Sequence, residues 1–403
     1  MGYHILLSSI ITHDNFMETF AFHLMPYQDI EDLTEKKSAW PWVEYDYDPE
    51  KGAQYYQEYL DQLEYAAELG FDGVGVNEHH YNAYGLQPGP NITASNLAAR
   101  TDDTTIAFFG NLPALRENPV RLAEELAMLD NITEGRIISG FPRGIPSEYF
   151  AYGVDMGESR SRFEEAWDLI IKTWTADEPF DWDGEHFQYE NVYIWPRPYQ
   201  DPHPPLWMPA ESEESLRFTA RNQVPTGLVF QPVETISEKF EEYRRYAEED
   251  YDWSPSDEDF SVMRAIYVAE TMEKAREEAE PHLRKFYHTL TAGVHIGVSA
   301  SMMGDQPYDP EKWDEYIEEL HPHGEFAFNY DFEEFQEYGE TIVGTPEYVV
   351  ETLEKQYEEV GGFGRIVGQF HFGDLPDWKA RKNLKLYADE VKPEVDRIGE
   401  VNP

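Results

Sequence analysis

The chain has 403 residues, with 80 Asp and Glu against 31 Lys and Arg, for a formal net charge of −49. With no basic patch to neutralise phosphates, nucleic-acid binding and attraction to anionic membranes are argued against; the absence of cysteine excludes disulfides, thiolate metal sites and Cys nucleophiles. Hydrophobic residues (41%) and well-spread aromatics (15%) suffice for a large core, which argues against disorder.

The opening residues, MGYHILLSSIITHDN, hold a short apolar stretch with no Lys or Arg before it. It is too short to span a bilayer and lacks the positive start of an export signal, so a cytoplasmic location is expected. Phe20 to Met25 reads as a short buried strand closed by Pro26. Tyr55 to Leu69 is predicted helical, because Tyr56, Tyr59, Leu60, Leu63, Ala66 and Ala67 recur at three- and four-residue steps and Gly70 stops the run. Strands are predicted at Phe71 to Asn77, Thr105 to Leu112 and Arg136 to Phe141. Helices are predicted from Pro119 through Leu129, with the proline at a good first position, and from Arg160 to Trp174. The alternation continues with Pro205 to Pro209 and Glu213 to Arg221, Gly227 to Phe230 and Thr235 to Glu249, and Ser261 to Ala269 and Thr271 to Leu290. Thr345 to Val360 and Trp378 to Val391 read as helices on either side of a strand from Arg365 to Phe372.

Eight strands alternating with helices predict a parallel sheet closed into an α/β fold of the eight-stranded β/α (TIM) barrel type. Three stretches break the alternation and are expected as insertions on one domain spanning the chain. They are about 30–51, rich in Trp and Tyr; about 177–204, rich in Pro and aromatics; and about 293–338. Residues 1–16 are expected to be an N-terminal extension. The run Trp40-Pro41-Trp42-Val43-Glu44-Tyr45 suits either a cover over an apolar substrate or a buried aromatic cluster.

The acids are dispersed, as in Glu241, Glu242, Glu248, Glu249 and Asp250, rather than massed in one tail. Over a folded surface of roughly 16,000 Å², the excess leaves one uncompensated charge every ~18 Å. That spacing is shorter than the screening length at low salt and longer than the ~3 Å of molar salt. Adaptation to a salt-rich cytosol, a halophilic protein, is the expectation.

Four runs fall at strand ends, where barrel enzymes place their chemistry. Asn77-Glu78-His79-His80 follows the second strand and suits acid–base work or a hydrogen-bonded structural pair. No second His-rich cluster has helical ligand spacing, so no metal is expected. Ser139-Gly140-Phe141-Pro142-Arg143-Gly144 follows the fourth strand and offers Arg143 as a phosphate clamp, or as the partner of a surface acid. Met208-Pro209-Ala210-Glu211-Ser212-Glu213-Glu214-Ser215 follows the fifth, where Ser212 or Glu213 caps the next helix and its amides suit a phosphate; capping alone is the alternative. Gly110-Asn111-Leu112-Pro113 ends the third strand with residues that tolerate unusual backbone, as a plain turn does or as a chain passing under a flat ring does. No dinucleotide fingerprint, Walker loop or nucleophile elbow is present.

In order, these runs resemble the bacterial luciferase-like flavin monooxygenases. Gly70-Phe71-Asp72 leading to Glu78-His79-His80 and Gly85 is similar to that family's second strand and active-site histidine. Asn118-Pro119-Val120-Arg121, Leu129-Asp130 and Gly135-Arg136 are similar to the following helix and strand, and Gly344-Thr345-Pro346-Glu347 to the start of the last helix. The resemblance runs from about Glu18 to about Glu390.

The resemblance implies a barrel that binds reduced FMN at its C-terminal face and uses O2 to oxygenate a small, apolar organic substrate through a flavin hydroperoxide. Arg143, Glu211, Ser212 and Ser215 fall where the family binds the flavin phosphate. Gly110-Asn111 is expected as a non-prolyl cis peptide under the flavin ring. His79 is the implied catalytic histidine, positioned by Glu78, with His80 facing the packed side or the rim. Pro142 stands where the luciferases have a cysteine, so light emission is not implied. The implied partners are a separate flavin reductase and a second copy of the chain in a homodimer. Two other readings remain: an oxidoreductase using the deazaflavin coenzyme, since that group shares the barrel, and a non-catalytic flavin-binding subunit.

Overall fold

The computed structural model describes residues 17–30, 46–302 and 331–400. The expected N-terminal extension, the Trp40 to Tyr45 run and most of the third insertion lie outside these residues. Eight parallel strands close into a barrel: β1 (Glu18–Phe22), β2 (Gly73–Val76), β3 (Thr105–Phe108), β4 (Ile137–Gly140), then, after a hairpin, β7 (Leu206–Pro209), β8 (Thr226–Val229), β9 (Phe260–Val268) and β11 (Arg365–Gln369). Closure is explicit in the register, because Phe20 of β1 aligns with Gly73 of β2 on one side and with Val367 of β11 on the other. All eight coincide with strands expected from the sequence.

The hairpin is β5 (Phe180–Asp183) and β6 (Gln188–Val192), antiparallel, in the second expected insertion. A ninth parallel strand, β10 (Thr341–Gly344), pairs with β9 over Ala265 to Val268, beyond the point where β8 has ended.

Strand alternation divides the apolar residues between two environments. Phe20, Phe22, Ala107, Phe109, Trp207, Met263 and Val367 face inward and fill the barrel, with Phe109 5.9 Å from Phe22 and 5.0 Å from Trp207 between ring centres. The Trp207 indole donates to Ser261 Oγ at 2.9 Å, so its one polar atom is satisfied inside this core. Val74, Ile106, Ile137, Leu228, Val262 and Ile366 face outward beneath the helices.

The helices around the barrel are α1 (Pro49–Glu68), α2 (Pro90–Arg100), α3 (Pro119–Ile132), α4 (Pro146–Tyr152), α5 (Ser159–Thr175), α6 (Glu213–Asn222), α7 (Val233–Tyr251), α8 (Met272–Met302), α9 (Phe332–Glu337), α10 (Pro346–Val360), α11 (Asp377–Leu386) and α12 (Lys392–Val395). At the N-terminal rim, Asp72 accepts from the Thr19 amide at 2.8 Å and pairs with buried Lys392 at 2.9 Å, which ties the bottom of β1 and β2 to the end of the chain.

At the opposite rim, Leu283, Phe286 and Tyr287 of α8 pack on Phe230 after β8, Phe335 of α9 and Phe372 after β11. The middle of α8 therefore lies over loops that follow strand C-termini, and the helix also runs against α4. His282 and Lys285 of α8 grip Asp374 after β11, at 2.6 and 2.9 Å. Among the described residues, no helix is long and apolar enough to cross a membrane.

Candidate active site at the barrel mouth

The run after β2 divides its side chains between two partners. Glu78 is buried; its Oε1 accepts from His80 Nε2 at 2.7 Å, and its Oε2 accepts from the Leu112 amide at 2.9 Å and from Arg116 Nη2 at 2.6 Å. Glu78 is therefore committed to His80 and Arg116, and it is not the residue that holds His79. Gly110, after β3, brings its backbone against Asn77 and Glu78 so closely that a Cβ there would lie 2.7 Å from the Glu78 nitrogen. The Glu78 carboxylate meets the Leu112 amide and Arg116 on one oxygen and His80 on the other.

His79 instead meets Glu148, the third residue of α4, with Nδ1 3.0 Å from Oε1; Tyr84 Oη lies 3.2 Å from the same nitrogen. Glu148 Oε2 accepts from the Ile145 amide at 3.0 Å, a reach back across the helix start like that of a capping box. Burial, and then the Glu148 charge, raise the Tyr84 phenol well above its ordinary value, so it stays protonated. His80 is buried and uses both nitrogens, the second meeting Tyr152 Oη at 2.8 Å. Among the described residues His79 Nε2 has no such partner, and the His79 side chain keeps 22% of its exposure. His79 is thus the histidine with a nitrogen left for chemistry.

Asn111 is wholly buried; its Nδ2 donates to Asn91 at 2.8 Å and its Oδ1 accepts from Arg116 at 3.1 Å. The Gly110–Asn111 peptide is trans, contrary to the expectation; the cis bonds among the described residues are Trp195–Pro196 and Asp201–Pro202. A non-prolyl cis bond costs about 2.5–4 kcal/mol. Here Glu78, Arg116 and Asn91 anchor the run in the trans form without that cost.

The second half of the site begins at Arg143, after β4. Its carbonyl accepts from the Tyr149 hydroxyl, and Gly144, at φ +97°, turns the chain into α4. The short segment from β4 into α4 thus carries both Arg143 and Glu148. The Arg143 guanidinium bonds Ser159 Oγ at 3.3 Å and pairs with no carboxylate among the described residues. Ser159 opens α5, and the next residue, Arg160, pairs with Glu214 in the first turn of α6 at 2.7 Å. The N-termini of α5 and α6 therefore lie side by side. Ser212 is the N-cap of α6 and accepts from the Ser215 amide at 3.3 Å; Ser215 Oγ donates to the Ser212 carbonyl at 2.8 Å and stands 3.2 Å from the Glu211 amide. Glu211 and Ser212 are exposed, so the expected capping is formed and the surface of this corner is open.

Two residues at the mouth have no role of their own in the sequence reading: Asn77, which only opens its run, and Gln369. Asn77 and Gln369 are buried at the C-terminal ends of β2 and β11, and among the described residues both side-chain amide atoms of each lack a hydrogen-bond partner. Glu148, Tyr84, Tyr152 and Ser159 were also unforeseen, although Pro146 followed by Glu148 has the form of a helix start.

Comparison with known proteins identifies relatives of the chain and of its fold. The oxygenase component of the flavin-dependent trigonelline monooxygenase of Acinetobacter baylyi is 28% identical over 260 residues, covering 61% of this chain and 68% of that protein. Among solved structures, the monooxygenase RslO1 of Streptomyces bottropensis is 26% identical with a TM-score of 0.70, covering 93% of this chain and 99% of that one. Two others share the fold at 18% identity: the oxygenating constituent of 3,6-diketocamphane monooxygenase from Pseudomonas putida in complex with FMN, with a TM-score of 0.71, and an F420-dependent secondary alcohol dehydrogenase, with a TM-score of 0.64. They cover 94% of this chain and 99% of their own. The family model described as luciferase-like monooxygenase matches residues 42–362, and the chain belongs to that family.

Proposed function

We propose that the protein is an oxidoreductase that takes reduced FMN and O2 and oxygenates a small, apolar organic substrate. The observation that carries this reading is Arg143. In a chain of net charge −49, this guanidinium lies where two helix N-termini meet and pairs with no carboxylate among the described residues. A cation, two sets of free helix amides and three hydroxyls suit a phosphate. Arg143, Ser159, Ser212 and Ser215 would hold it, beside the Glu211 amide. The unpartnered amides of Asn77 and Gln369 fit a ring with a polar edge at the mouth.

Bound and reduced, the flavin would supply the electrons that activate O2. The chain's own residues would do the rest. His79 would hold or move a proton at Nε2. Glu78 would act at one remove, by fixing His80 and Arg116 in the wall behind it. Phe286 and Tyr287 of α8 would keep water from the mouth.

The name of the trigonelline relative, an oxygenase component, supports a separate flavin reductase as partner. A second copy of the chain is the other proposed partner. α2 carries no acid, and Ile92 on it and Met128 and Ile132 on neighbouring α3 are exposed, which is a face where two such acidic chains can meet. A cytosol of high salt is the proposed setting.

The fold shared with an F420-dependent dehydrogenase makes a deazaflavin coenzyme the second reading. Anaerobic titration of the full chain with reduced FMN and with reduced F420 separates the two. Saturable binding of FMN with weak or no binding of F420 is expected. Tight F420 binding without FMN binding would overturn the first reading, and binding of FMN without any oxygenation of the substrates tried with a reductase would favour the non-catalytic one.

A further inference from the structure

α4 presents Glu148 and Tyr152 one turn apart on the same face, and each takes one of the two adjacent histidines. The bonding they impose is opposite. Glu78 is an acceptor, so His80 bears its proton on Nε2, and its Nδ1 accepts from the Tyr152 hydroxyl. Glu148 is also an acceptor, 1% exposed, and both of its oxygens are in use: Oε1 at His79 Nδ1 and Oε2 at the Ile145 amide. A carboxylate has no proton to give, so the hydrogen of that 3.0 Å contact belongs to the ring.

We propose that Glu148 is the positioning residue that sets the tautomer of His79, fixing the ring proton on Nδ1 and leaving Nε2 bare toward the barrel mouth. The proposal rests on the reading of His79 as the reactive histidine, but it concerns a ring proton that is observable without any cofactor. Tyr84 Oη, 3.2 Å from Nδ1, is the secondary acceptor of the same N–H and closes off the remaining approach to that nitrogen.

The isosteric change Glu148→Gln makes the inference sharp. The Ile145 amide cannot turn, so the glutamine carbonyl must face it to keep that bond. The NH2 group then faces His79 Nδ1, which can satisfy it only as a bare acceptor. The proton must move to Nε2. The substitution preserves shape and inverts the tautomer.

The test is nitrogen-15 NMR of the full chain labelled on histidine, at a pH where the ring is neutral, with the His79 signals identified by their loss in His79→Gln. The parent should show a protonated Nδ1 and a bare Nε2, and Glu148→Gln the reverse. A parent spectrum with bare Nδ1 overturns the proposal even if the variant fails to fold, and so does a folded Glu148→Gln with an unchanged tautomer. Turnover is measured beside it: kcat should fall about 10²-fold or more with KM nearly unchanged, as for a misplaced acid–base group. An inverted tautomer with full turnover would leave Glu148 as the tautomer setter and remove His79 Nε2 from the reaction, so the two claims fail separately.

Discussion

The carboxylate of Glu78 bonds His80 at 2.7 Å and leaves its neighbour His79 to Glu148, at 3.0 Å from a different element. Two adjacent histidines thus belong to two separate hydrogen-bond systems, one sealed into the wall and one open to the mouth.

Removing Glu78 should therefore damage the fold more than the chemistry. Glu78→Ala would leave Arg116, the Leu112 amide and His80 Nε2 without their shared acceptor in a buried site. Stripping one member from such a buried charged network costs about 3–5 kcal/mol. Chemical denaturation should show that loss for Glu78→Ala and a smaller one for Glu148→Ala. Equal, small losses would show that the Glu78 system carries little of the stability.

The sequence makes the barrel legible because parallel strands read as short apolar runs set between punctuated helices. Gly70 and Pro119 mark helix ends that the structure places within one or two residues. β10 sits at the end of a stretch that reads as an insertion, and its pairing to β9 joins segments far apart in the chain, so it has no local signature. α2 is missed because only Pro90, Ala94 and Leu97 are buried in it, too few to mark a helical period. The β5–β6 hairpin is hidden in a stretch that reads as an insertion; it docks on α5 through Glu165, which accepts from the Trp182 indole and from the His186 and Phe187 amides. His79 and Arg143 are legible from their places at strand ends. Glu148 is not, because its pairing with His79 depends on α4 folding back 69 residues later in the chain.

Three buried groups should bend the stability curve, two histidines on the acid side and one glutamate on the alkaline side. His23 and His371 stack at 4.7 Å; burial pulls His23 well below its ordinary value and His371 down to about 4. Both stay neutral in the fold while the unfolded chain takes up protons, so stability should fall as pH drops from 6.5 toward 4. Each contributes at most about 1.4 kcal/mol per pH unit. Burial pushes Glu340 up to about 8, with Arg264 opposing. Its fold-bound proton favours the native state below 4.5, and that stability should be lost as pH rises toward 8. Glu340→Gln should flatten the alkaline side, and His371→Gln the acid side. Melting curves across pH decide it; unchanged slopes in both variants would contradict these assignments.

Stability should rise steeply with salt. The motive is the net charge of −49 carried by dispersed acids. The melting temperature in 3 M KCl should exceed that in 0.1 M. An equal or lower value would refute adaptation to a salt-rich cytosol.

Arg143→Ala should weaken FMN binding with little loss of stability, because among the described residues the guanidinium has one long hydrogen bond. A charge-assisted bond to phosphate is worth about 1.5–3 kcal/mol, or roughly a ten- to hundredfold change in affinity. Arg143→Lys should recover only part, since an ammonium cannot form the planar fork. Unchanged affinity in Arg143→Ala would move the phosphate elsewhere.

The most direct test of the account is stopped-flow oxidation of the reduced flavin bound to His79→Ala, with product and hydrogen peroxide measured together. The account predicts a variant that still binds FMN and consumes O2 but releases peroxide, with substrate oxidation down by about 10²-fold or more. A His79→Ala protein that couples O2 to product as well as the parent does would contradict it and leave the histidine a structural residue at the barrel mouth.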